Sequence, residues 1–359
     1  MNETWTRSDR DGGGRALLIA ASLIIVIAGV KAAKTLILPF LLAMFFAMVT
    51  LPLLNWMRAK NVPTPLAVLA TLVVALSIVV GLGVMIGGSV SSISDEIPKY
   101  RERLEEISGD AVTQLETWGL PVSRELFTDL VQPDRAWAFA QSGLKGIATA
   151  LSNMFLVLLM IVFVLFEAAG IPAKLQKAFG HQRNTERYEK IKAEVQKYLA
   201  AKTVISLTTG VLVGIGLAIV GVDFWFLWAS LAVVLNYIPT LGSIIAGVPP
   251  ILLAMVQFGP VQALTVAIIF ISVNVVLGNV VEPYLVGRKV GLSTLVVFLS
   301  LVFWGWVWGP VGMLLSVPLT MIVKIMLENT EDLRWIAILL GPAPAAEKTK
   351  PKTPKKVQA

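Results

Sequence analysis

The chain has 359 residues, of which 56% are hydrophobic and 15% charged, and its mean hydropathy is +0.77. A soluble domain carries about 25% charged residues, so the composition excludes an ordinary soluble fold and indicates an integral membrane protein. The net charge of +7 sits in loops beside apolar segments and in the C-terminal KTKPKTPKK, which is typical of topology signals and attraction to anionic lipid, not of nucleic-acid binding. The absence of cysteine excludes disulfides and thiolate chemistry, and the single His181 cannot make a histidine-based metal site, so no metal or cofactor is expected.

Aliphatic segments of helix-spanning length recur along the chain, whereas outer-membrane barrels alternate in segments of about 10 residues. The pattern therefore predicts an all-α bundle. A full crossing needs about 20 residues, and the segments predicted to cross lie at 16–30, 35–54, 66–90, 146–166, 203–222 and 261–278. Gly210 and Gly214 in the fifth segment have the spacing that lets a neighbouring helix approach closely.

The polar stretch 91–145 is too charged to cross the membrane, and its first part has helical periodicity. Its apolar residues form one stripe, made of Ile97, Tyr100, Leu104, Ile107, Ala111, Leu115 and Trp118. We expect an amphipathic helical insert. Two roles are open for it: a surface cap packed on the bundle, or a face that gates access or contacts another subunit.

Lysine and arginine set the predicted orientation, because cytoplasmic loops carry their excess. Basic residues precede the first segment and dominate the loops after the second and fourth segments, so these regions are expected to be cytoplasmic. Both chain termini then lie in the cytoplasm, and the insert faces outward. The sequence thus predicts a multi-pass protein of the inner, or plasma, membrane.

The C-terminal half contains two breaks between short apolar segments. These segments lie at 224–235, 243–258, 294–308 and 311–326. The first break is NYIPTLG at 236–242, and the second is Gly309 and Pro310. Segments of about 12 to 16 residues are short for a crossing, so each pair is predicted to form a re-entrant helical hairpin.

Each hairpin follows a full span, and the parity of the crossings makes the two units inverted relative to each other. Inverted repeats with broken helices near the midplane are typical of secondary transporters. The predicted fold is a polytopic all-α membrane protein with about six full spans and two re-entrant hairpins, or eight or so transmembrane segments. Its parts are the N-terminal segment (1–15), three scaffold spans (16–90), the extracytoplasmic insert (91–145), the fourth span (146–168), a basic cytoplasmic helical linker (169–202), the transport core (203–326) and a basic disordered tail (327–359).

The breaks are the predicted binding site, because the last carbonyls and first amides of half-helices lack partners within the helix. The candidates for contact with a polar solute lie in or near the breaks: Asn236, Tyr237, Pro239, Thr240, Gly242, Ser243, Asn274, Asn279, Gly309 and Gly312. Asn236 has an alternative role as a helix C-cap, and Asn274 as a partner in an interhelical hydrogen bond. The predicted hinges or kinks are the prolines Pro249, Pro250, Pro283, Pro310 and Pro318.

Ionisable residues at membrane depth are functional candidates. In the broken half, the candidates for coupling to an ion gradient are Asp223, Glu282 and Arg288, and Glu282 is expected to titrate near Arg288. The alternative for Asp223 and Glu282 is a solvated position at the end of a span.

The two breaks also carry a family resemblance. LNYIPTLGSIIAGVPPILLA and NVVEPYLVGRKVGLSTLVVFLSLVFWGWVWGPVGMLLSVPL resemble the two signature blocks of the autoinducer-2 exporter family of transporters. The matching positions are Asn236, Pro239, Gly242, Pro249, Pro283, Gly287, Arg288, Gly291, Gly312 and Pro318. One departure is Glu282, where family members often carry glutamine. The resemblance implies a bacterial inner-membrane secondary transporter whose cargo is autoinducer-2, a small polar, sugar-like molecule.

Three functions remain open from the sequence: export of a small polar solute by alternating access, a sodium/proton-type cation antiporter on the same fold, and a non-transporting membrane scaffold. The paired breaks disfavour the scaffold, and the scarcity of buried carboxylates disfavours the antiporter. No catalytic constellation or Walker motif is visible, so no enzyme activity is expected and transport would draw on a gradient. The expected partners are a small polar solute, protons or sodium ions, the lipid bilayer and further copies of the chain in a homo-oligomer.

Overall fold

A computed structural model describes residues 8–77, 154–179, 182–286, 291–328 and 330–342, together with isolated positions between 81 and 117. Within these ranges the chain is helical apart from short turns. The helices are α1 (Ser8–Ala32), α2 (Lys34–Ala59), α3 (Thr64–Ser77), α4 (Met154–Phe179), α5 (Gln182–Val220), α6 (Trp225–Leu235), α7 (Leu241–Phe258), α8 (Pro260–Asn274), α9 (Glu282–Val286), α10 (Thr294–Trp308), α11 (Pro310–Glu328) and α12 (Arg334–Leu339), with a π-helix at Val275–Val281 and a 3-10 turn at Glu331–Leu333. Most of the predicted insert, the end of the third span, the start of the fourth span and the tail after 342 lie outside the described residues.

Several helices are long and apolar enough to cross a membrane. Among the described residues these segments are Lys34–Ala59, Lys192–Val220, Leu241–Phe258, Pro260–Leu285 and Pro310–Glu328. Large apolar side chains remain exposed along them, such as Leu36 at 77% and Ile219 at 81%. Soluble monomers rarely expose apolar surface on this scale, so these faces suit contact with lipid.

The part of the predicted basic linker from Gln182 onward and the predicted fifth span form one continuous helix, α5, whereas the first part of the linker continues α4 to Phe179. No proline or glycine occurs from 182 to 209 to interrupt the helix. α5 has 39 residues, about 58 Å at 1.5 Å per residue, which is longer than a hydrocarbon core of about 30 Å. It packs against α2, α4, α6, α8, α9 and α11. α5 is therefore the element that joins the N-terminal helices to the broken half.

The prediction that the sixth span ends near Gly278 and is followed by a polar connector is wrong, because the helix continues to Val286. The physical reason is Pro283. In a regular α-helix its ring would collide with the carbonyl four residues earlier, and here the backbone widens into the π-helix just before it. The amide of Glu282 accordingly donates to the carbonyl of Leu277, five residues earlier.

Two helical pairs, α6–α7 and α10–α11, flank the predicted breaks. The members of each pair pack against each other, and the first tip is shorter than predicted because α7 already begins at Leu241. The first arms have 11 and 15 residues, and the second arms 18 and 19. At 1.5 Å per residue α6 covers only about 16 Å, whereas α7 covers about 27 Å. The lengths of α6 and α10 favour re-entrant hairpins, whereas the lengths of α7 and α11 do not. The re-entrant form of the two hairpins therefore stays a prediction.

The close approach predicted at the paired glycines of α5 is confirmed. A Cβ atom at Gly210 would overlap the side chain of Val233, and one at Gly214 would lie 2.9 Å from Cβ of Ala229. Both partners belong to α6. The missing side chains thus let α6 pack directly on the backbone of α5.

The buried apolar side chains form three clusters. The first cluster lies among α5, α6, α7 and α8 and includes Val266, and the second lies among α2, α3 and α4 and includes Ile161. The third joins α2, α5 and α11 and includes Phe45 and Leu199, with Tyr237 packed against it. The N-terminal helices and the first hairpin unit therefore have separate cores, and the third cluster is the junction between them.

Candidate functional site

The first break meets a polar face of α5. The side-chain amide of Asn236 donates to Oγ of Ser206 over 3.0 Å, and the hydroxyl of Tyr237 donates to Oγ1 of Thr203 over 2.8 Å. Thr203 and Ser206 are three residues apart and so share a face of the helix. We call these four side chains the polar seam. It pairs hydroxyl and amide groups across two elements at a point where the α6 helix has ended.

The polar seam is partly buried, because Thr203, Asn236 and Tyr237 are each half-buried. Ser206 is fully buried, and the ring of Tyr237 makes an edge-to-face contact with Phe45 of α2, with 5.4 Å between ring centroids. Buried polar groups are costly unless hydrogen-bonded, and each member of the seam has a partner. The seam therefore supplies hydrogen-bonding groups inside the bundle, next to the junction of the two cores.

An ion pair adjoins the polar seam. Nζ of Lys202 donates to Oε2 of Glu282 over 2.8 Å, joining α5 to the turn of helix that follows the π-helix. The Lys202 side chain is 5% exposed and that of Glu282 28%. Lys202 directly precedes Thr203 in α5, so the charged pair and the seam belong to one region of the molecule.

The backbone of the first tip is strained. Thr240 has φ +61° and ψ −54°, and the amide of Leu241 donates to the carbonyl of Pro239 over 2.6 Å. This is a γ-turn of the rare, high-energy hand on a β-branched residue. Two residues on, a Cβ atom at Gly242 would overlap the carbonyl oxygen of Leu235. Only glycine allows α7 to start so close to the end of α6.

Glycine also allows a close backbone approach at the second tip, which lies elsewhere in the molecule. A Cβ atom at Gly312 would overlap the carbonyl oxygen of Trp304, and Gly309 has φ +69°. The indole of Trp308 donates to the carbonyl of Val30 over 3.2 Å, which places this tip at the turn between α1 and α2. Val311, between these two glycines, packs against the cluster of Phe45 and Leu199, as Tyr237 does. No described hydrogen bond joins Gly309 or Gly312 to the polar seam.

Asp223 lies at the far end of α5 from Glu282, on the order of 30 Å along the helix. Its carboxylate accepts hydrogen bonds from the hydroxyl of Tyr100, at 2.8 Å, and from the side-chain amide of Gln257. The Asp223 amide donates to Oε1 of Gln257 over 3.2 Å, and the Trp228 indole donates to the Asp223 carbonyl over 3.0 Å. Burial and the hydrogen bond to Asp223 raise the pKa of Tyr100. Tyr100 thus ties the start of the predicted insert to the turn after α5.

The remaining predicted site residues lie outside the seam. The amide of Asn274 donates to the carbonyl of Phe270 over 2.7 Å within its own helix, Asn279 is exposed, and Ser243 donates to the carbonyl of Thr240. The five predicted hinge prolines lie in or at the start of helices: Pro249, Pro250, Pro283, Pro310 and Pro318. Arg288 lies outside the described residues. Among the described residues, no group of three or more histidine, cysteine, aspartate or glutamate side chains could hold a metal.

Three residues of this region were missed by the sequence reasoning: Lys202, Thr203 and Ser206. Lys202 is the last residue of the predicted basic linker, and a lysine beside an apolar segment resembles a topology signal. The available signal was the recurrence of hydroxyl residues at 203, 206 and 209 in KTVISLTT, which marks one polar face of a membrane helix.

These features define a multi-pass helical membrane protein with a partly buried polar site among its helices. The model of the AI-2E family transporters matches residues 20–332. The chain therefore belongs to the AI-2E family of transporters, which places it in the inner membrane.

Curated relatives cover nearly the whole chain. The putative transport protein YhhT of Escherichia coli K12 is 37% identical over 331 residues, 92% of this chain and 95% of its own length. The AI-2 transport protein TqsA of the same strain is 38% identical over 330 residues, 92% of this chain and 96% of its own. A putative transport protein of Haemophilus influenzae is 38% identical over 334 residues, with 91% and 96% covered.

Proposed function

We propose that this protein is a secondary transporter that exports a small polar solute by alternating access, and that the solute interacts with the polar seam. The observation that carries the proposal is the pairing of Asn236 with Ser206 and of Tyr237 with Thr203 inside the bundle. A solute rich in hydroxyl groups can replace these hydrogen bonds one for one, so neither partner is left unsatisfied while the cargo is bound.

Autoinducer-2 is the first cargo to test. TqsA is named an AI-2 transport protein and is 38% identical to this chain. A small, polar, sugar-like molecule suits the seam, because the seam offers hydroxyl and amide groups. The neighbouring Lys202 and Glu282 compensate each other's charge, which suits a cargo without net charge.

The proposed movement shifts α5, α8 and the two hairpins against α1–α4. Separate apolar cores for α5–α8 and α2–α4 support this division, because each body can keep its packing while the junction slides. The junction at Phe45, Leu199 and Tyr237 is where access to the seam would open and close. The contact between Trp308 and Val30 would have to break or slide in the same step.

A sodium/proton-type antiporter is the second candidate function. The ion pair between Lys202 and Glu282 favours it, because an ionisable pair among membrane helices is costly to keep without a role. Asp223 and Arg288 stay as further coupling candidates.

The test is transport into vesicles that contain the purified full chain, with autoinducer-2 supplied on one side and proton or sodium gradients imposed in turn. We expect wild-type protein to speed equilibration of autoinducer-2 above the rate in protein-free vesicles. Thr203→Val removes the acceptor of the Tyr237 hydroxyl and should slow it by about tenfold, the equivalent of one lost hydrogen bond.

Thr208→Val is the matched control. Thr208 lies on the same helix, is exposed, and donates only to the carbonyl of Val204 on its own helix, so transport should stay at the wild-type rate. Exchange of sodium for protons without movement of autoinducer-2 would support the antiporter instead. Wild-type vesicles that move neither cargo nor ions would overturn the proposed function.

A further inference from the structure

Lys202 is a buried cation with a described anionic partner. Its Nζ lies 2.8 Å from Oε2 of Glu282, and only 5% of its side chain is exposed. Glu282 is less enclosed, with 28% of its side chain exposed. The carboxylate is therefore the more accessible member of the pair, and the ammonium group holds the inner side of the site.

A purely structural role explains this pair poorly. Desolvating two charges often costs more than their attraction returns, and apolar side chains of similar size commonly hold two helices together as well or better. The neighbouring contacts of α5 are already apolar, with Leu199 and Ile205 almost fully buried. An ion pair kept in such surroundings points to a role for the charges themselves.

Few other ionisable groups face Glu282 within the described residues. α5 and the π-helix are the elements packed most closely against α9. α5 contributes Lys202, the buried phenol of Tyr198 one turn earlier, within electrostatic range of Glu282, and Glu194 one turn beyond that. The π-helix, VVLGNVV, contributes no ionisable side chain. Among the described residues, Lys202 is thus the cation that pairs with the carboxylate.

We propose that Glu282 binds the coupling cation, a proton or a sodium ion, and that Lys202 is a tethered cation that competes with it for the carboxylate. This inference rests on the proposed transport function and names its coupling site. Lys202 is a positioning residue in this scheme, because it acts on the ion only through Glu282.

The competition links ion binding to movement. When a solution cation occupies Oε2 of Glu282, the hydrogen bond from Lys202 is lost and a buried ammonium is left without its partner. An unpaired buried charge is strongly unfavourable, so α5 and α9 must change their relative position until Lys202 reaches water or another acceptor. The π-helix before Glu282 has a weakened hydrogen-bond ladder and is suited to such a shift. Thr203 of the polar seam is the next residue, so the shift reaches the cargo site directly.

The test uses the purified full chain in lipid nanodiscs without any cargo. Infrared difference spectra recorded during acid titration report the C=O stretch of protonated carboxyl groups. We expect the wild-type spectra to contain a band from protonated Glu282 that is missing in the spectra of Glu282→Gln. In Lys202→Met the competitor is gone, and the midpoint of the Glu282 band should rise by about one pH unit or more, a tenfold tighter hold on the proton.

Sodium forms the second arm of the titration. If sodium is the competing ion, sodium chloride but not choline chloride will shift the wild-type midpoint to lower pH. If the site takes only protons, the two salts will have the same effect. Both results support the shared chemistry and identify the ion.

Lys324 and Glu328 on α11 provide the matched control, because they form a second lysine–glutamate pair with a 2.9 Å contact. Glu328→Gln should leave the Glu282 band and its midpoint unchanged. If Lys202→Met does not fold, Lys202→Arg provides the test instead. A bidentate guanidinium holds the carboxylate more firmly, so this variant should lower the midpoint of the Glu282 band.

Two results would overturn the inference: the same spectra for wild type and Glu282→Gln throughout the titration, or a midpoint that no Lys202 substitution moves. The pair would then be a structural contact only. Because no cargo is present, these results are independent of the vesicle test with autoinducer-2. Failure of the proposed cargo would leave the ion site standing, and failure of the ion site would leave the cargo proposal standing.

Discussion

The hydroxyl of Tyr100 lies 2.8 Å from Oδ2 of Asp223, although 123 positions separate the two residues in the chain. Gln257 joins the same carboxylate, so three elements meet at this end of the bundle: the insert, the turn after α5, and the last turn of α7. The contact ties the insert to the part of the molecule that the proposed mechanism moves.

Loss of the Tyr100 hydroxyl should loosen this end of the protein. Tyr100→Phe removes a hydrogen bond to a charged acceptor in a partly exposed setting, and we expect a loss of about 1 kcal/mol in unfolding free energy. Thermal unfolding of the purified protein measures it. Tyr284, which is 87% exposed, gives the control: Tyr284→Phe should leave the midpoint unchanged, and equal effects of the two substitutions would contradict the role of the contact.

The same contact should have an alkaline limit. The raised pKa of Tyr100 means that the native state holds the phenol proton more firmly than the unfolded chain does. Its stabilising contribution is therefore fully present below about pH 10, the ordinary tyrosine value, and is lost as pH rises through the native pKa. The difference in unfolding free energy between wild type and Tyr100→Phe should therefore shrink as the pH rises above about 10. A constant difference across the alkaline range would show that the phenol proton is not involved.

Strain at the first tip should be removable. Thr240→Gly accommodates the positive φ without a Cβ clash, and we expect a gain of about 1 kcal/mol in stability. Thr240→Ala keeps a Cβ atom and should bring no such gain. If the strain serves transport, Thr240→Gly will also slow autoinducer-2 movement in vesicles although the protein is more stable. A loss of stability in the glycine variant would refute the strain assignment.

The glycines at the two tips should not tolerate a methyl group. Gly242→Ala and Gly312→Ala place a Cβ atom on a backbone carbonyl, and relief requires the two arms to separate. We expect a loss of about 3 kcal/mol or more, or failure to fold. Gly278→Ala is the matched control because open space surrounds that position, and it should be neutral or slightly stabilising. Equal behaviour of Gly242→Ala and Gly278→Ala would show that the close approach is not essential.

A reversible lock should stop the proposed movement. The sequence has no cysteine, so Val30→Cys with Trp308→Cys, bridged by a short bifunctional methanethiosulfonate that forms a disulfide with each thiol, would fix the second tip to the turn after α1. Transport should fall to the protein-free rate and return when a reductant cleaves the bridge. Single-cysteine variants treated in the same way should remain active. Full transport by the bridged protein would rule out movement between these two points.

Sequence reasoning succeeded where the signal is local. The breaks at 236–242 and at Gly309 follow from prolines and glycines inside apolar segments, and the helices flanking them end and begin within a few residues of the predicted points. It was wrong at the end of the sixth span, because the π-helix before Pro283 lets the helix continue through the predicted connector to Val286. At the start of the predicted fifth span the composition changes from polar to apolar without a helix breaker, and α5 runs through that point without interruption.

The sequence by itself determined the class of protein, the apolar helices, the two breaks and the family, because hydropathy, proline and glycine act on the chain within a few residues. Only the tertiary structure decided which side chains meet at a break. Lys202 and Glu282 are 80 positions apart in the chain, and Asn236 and Ser206 are 30 positions apart. Such partners are chosen by the packing of α5 against its neighbours, since a buried polar group must be satisfied by whatever the fold brings within 3 Å of it. The same packing made α5 the centre of the site, because α5 contacts helices of both halves of the chain.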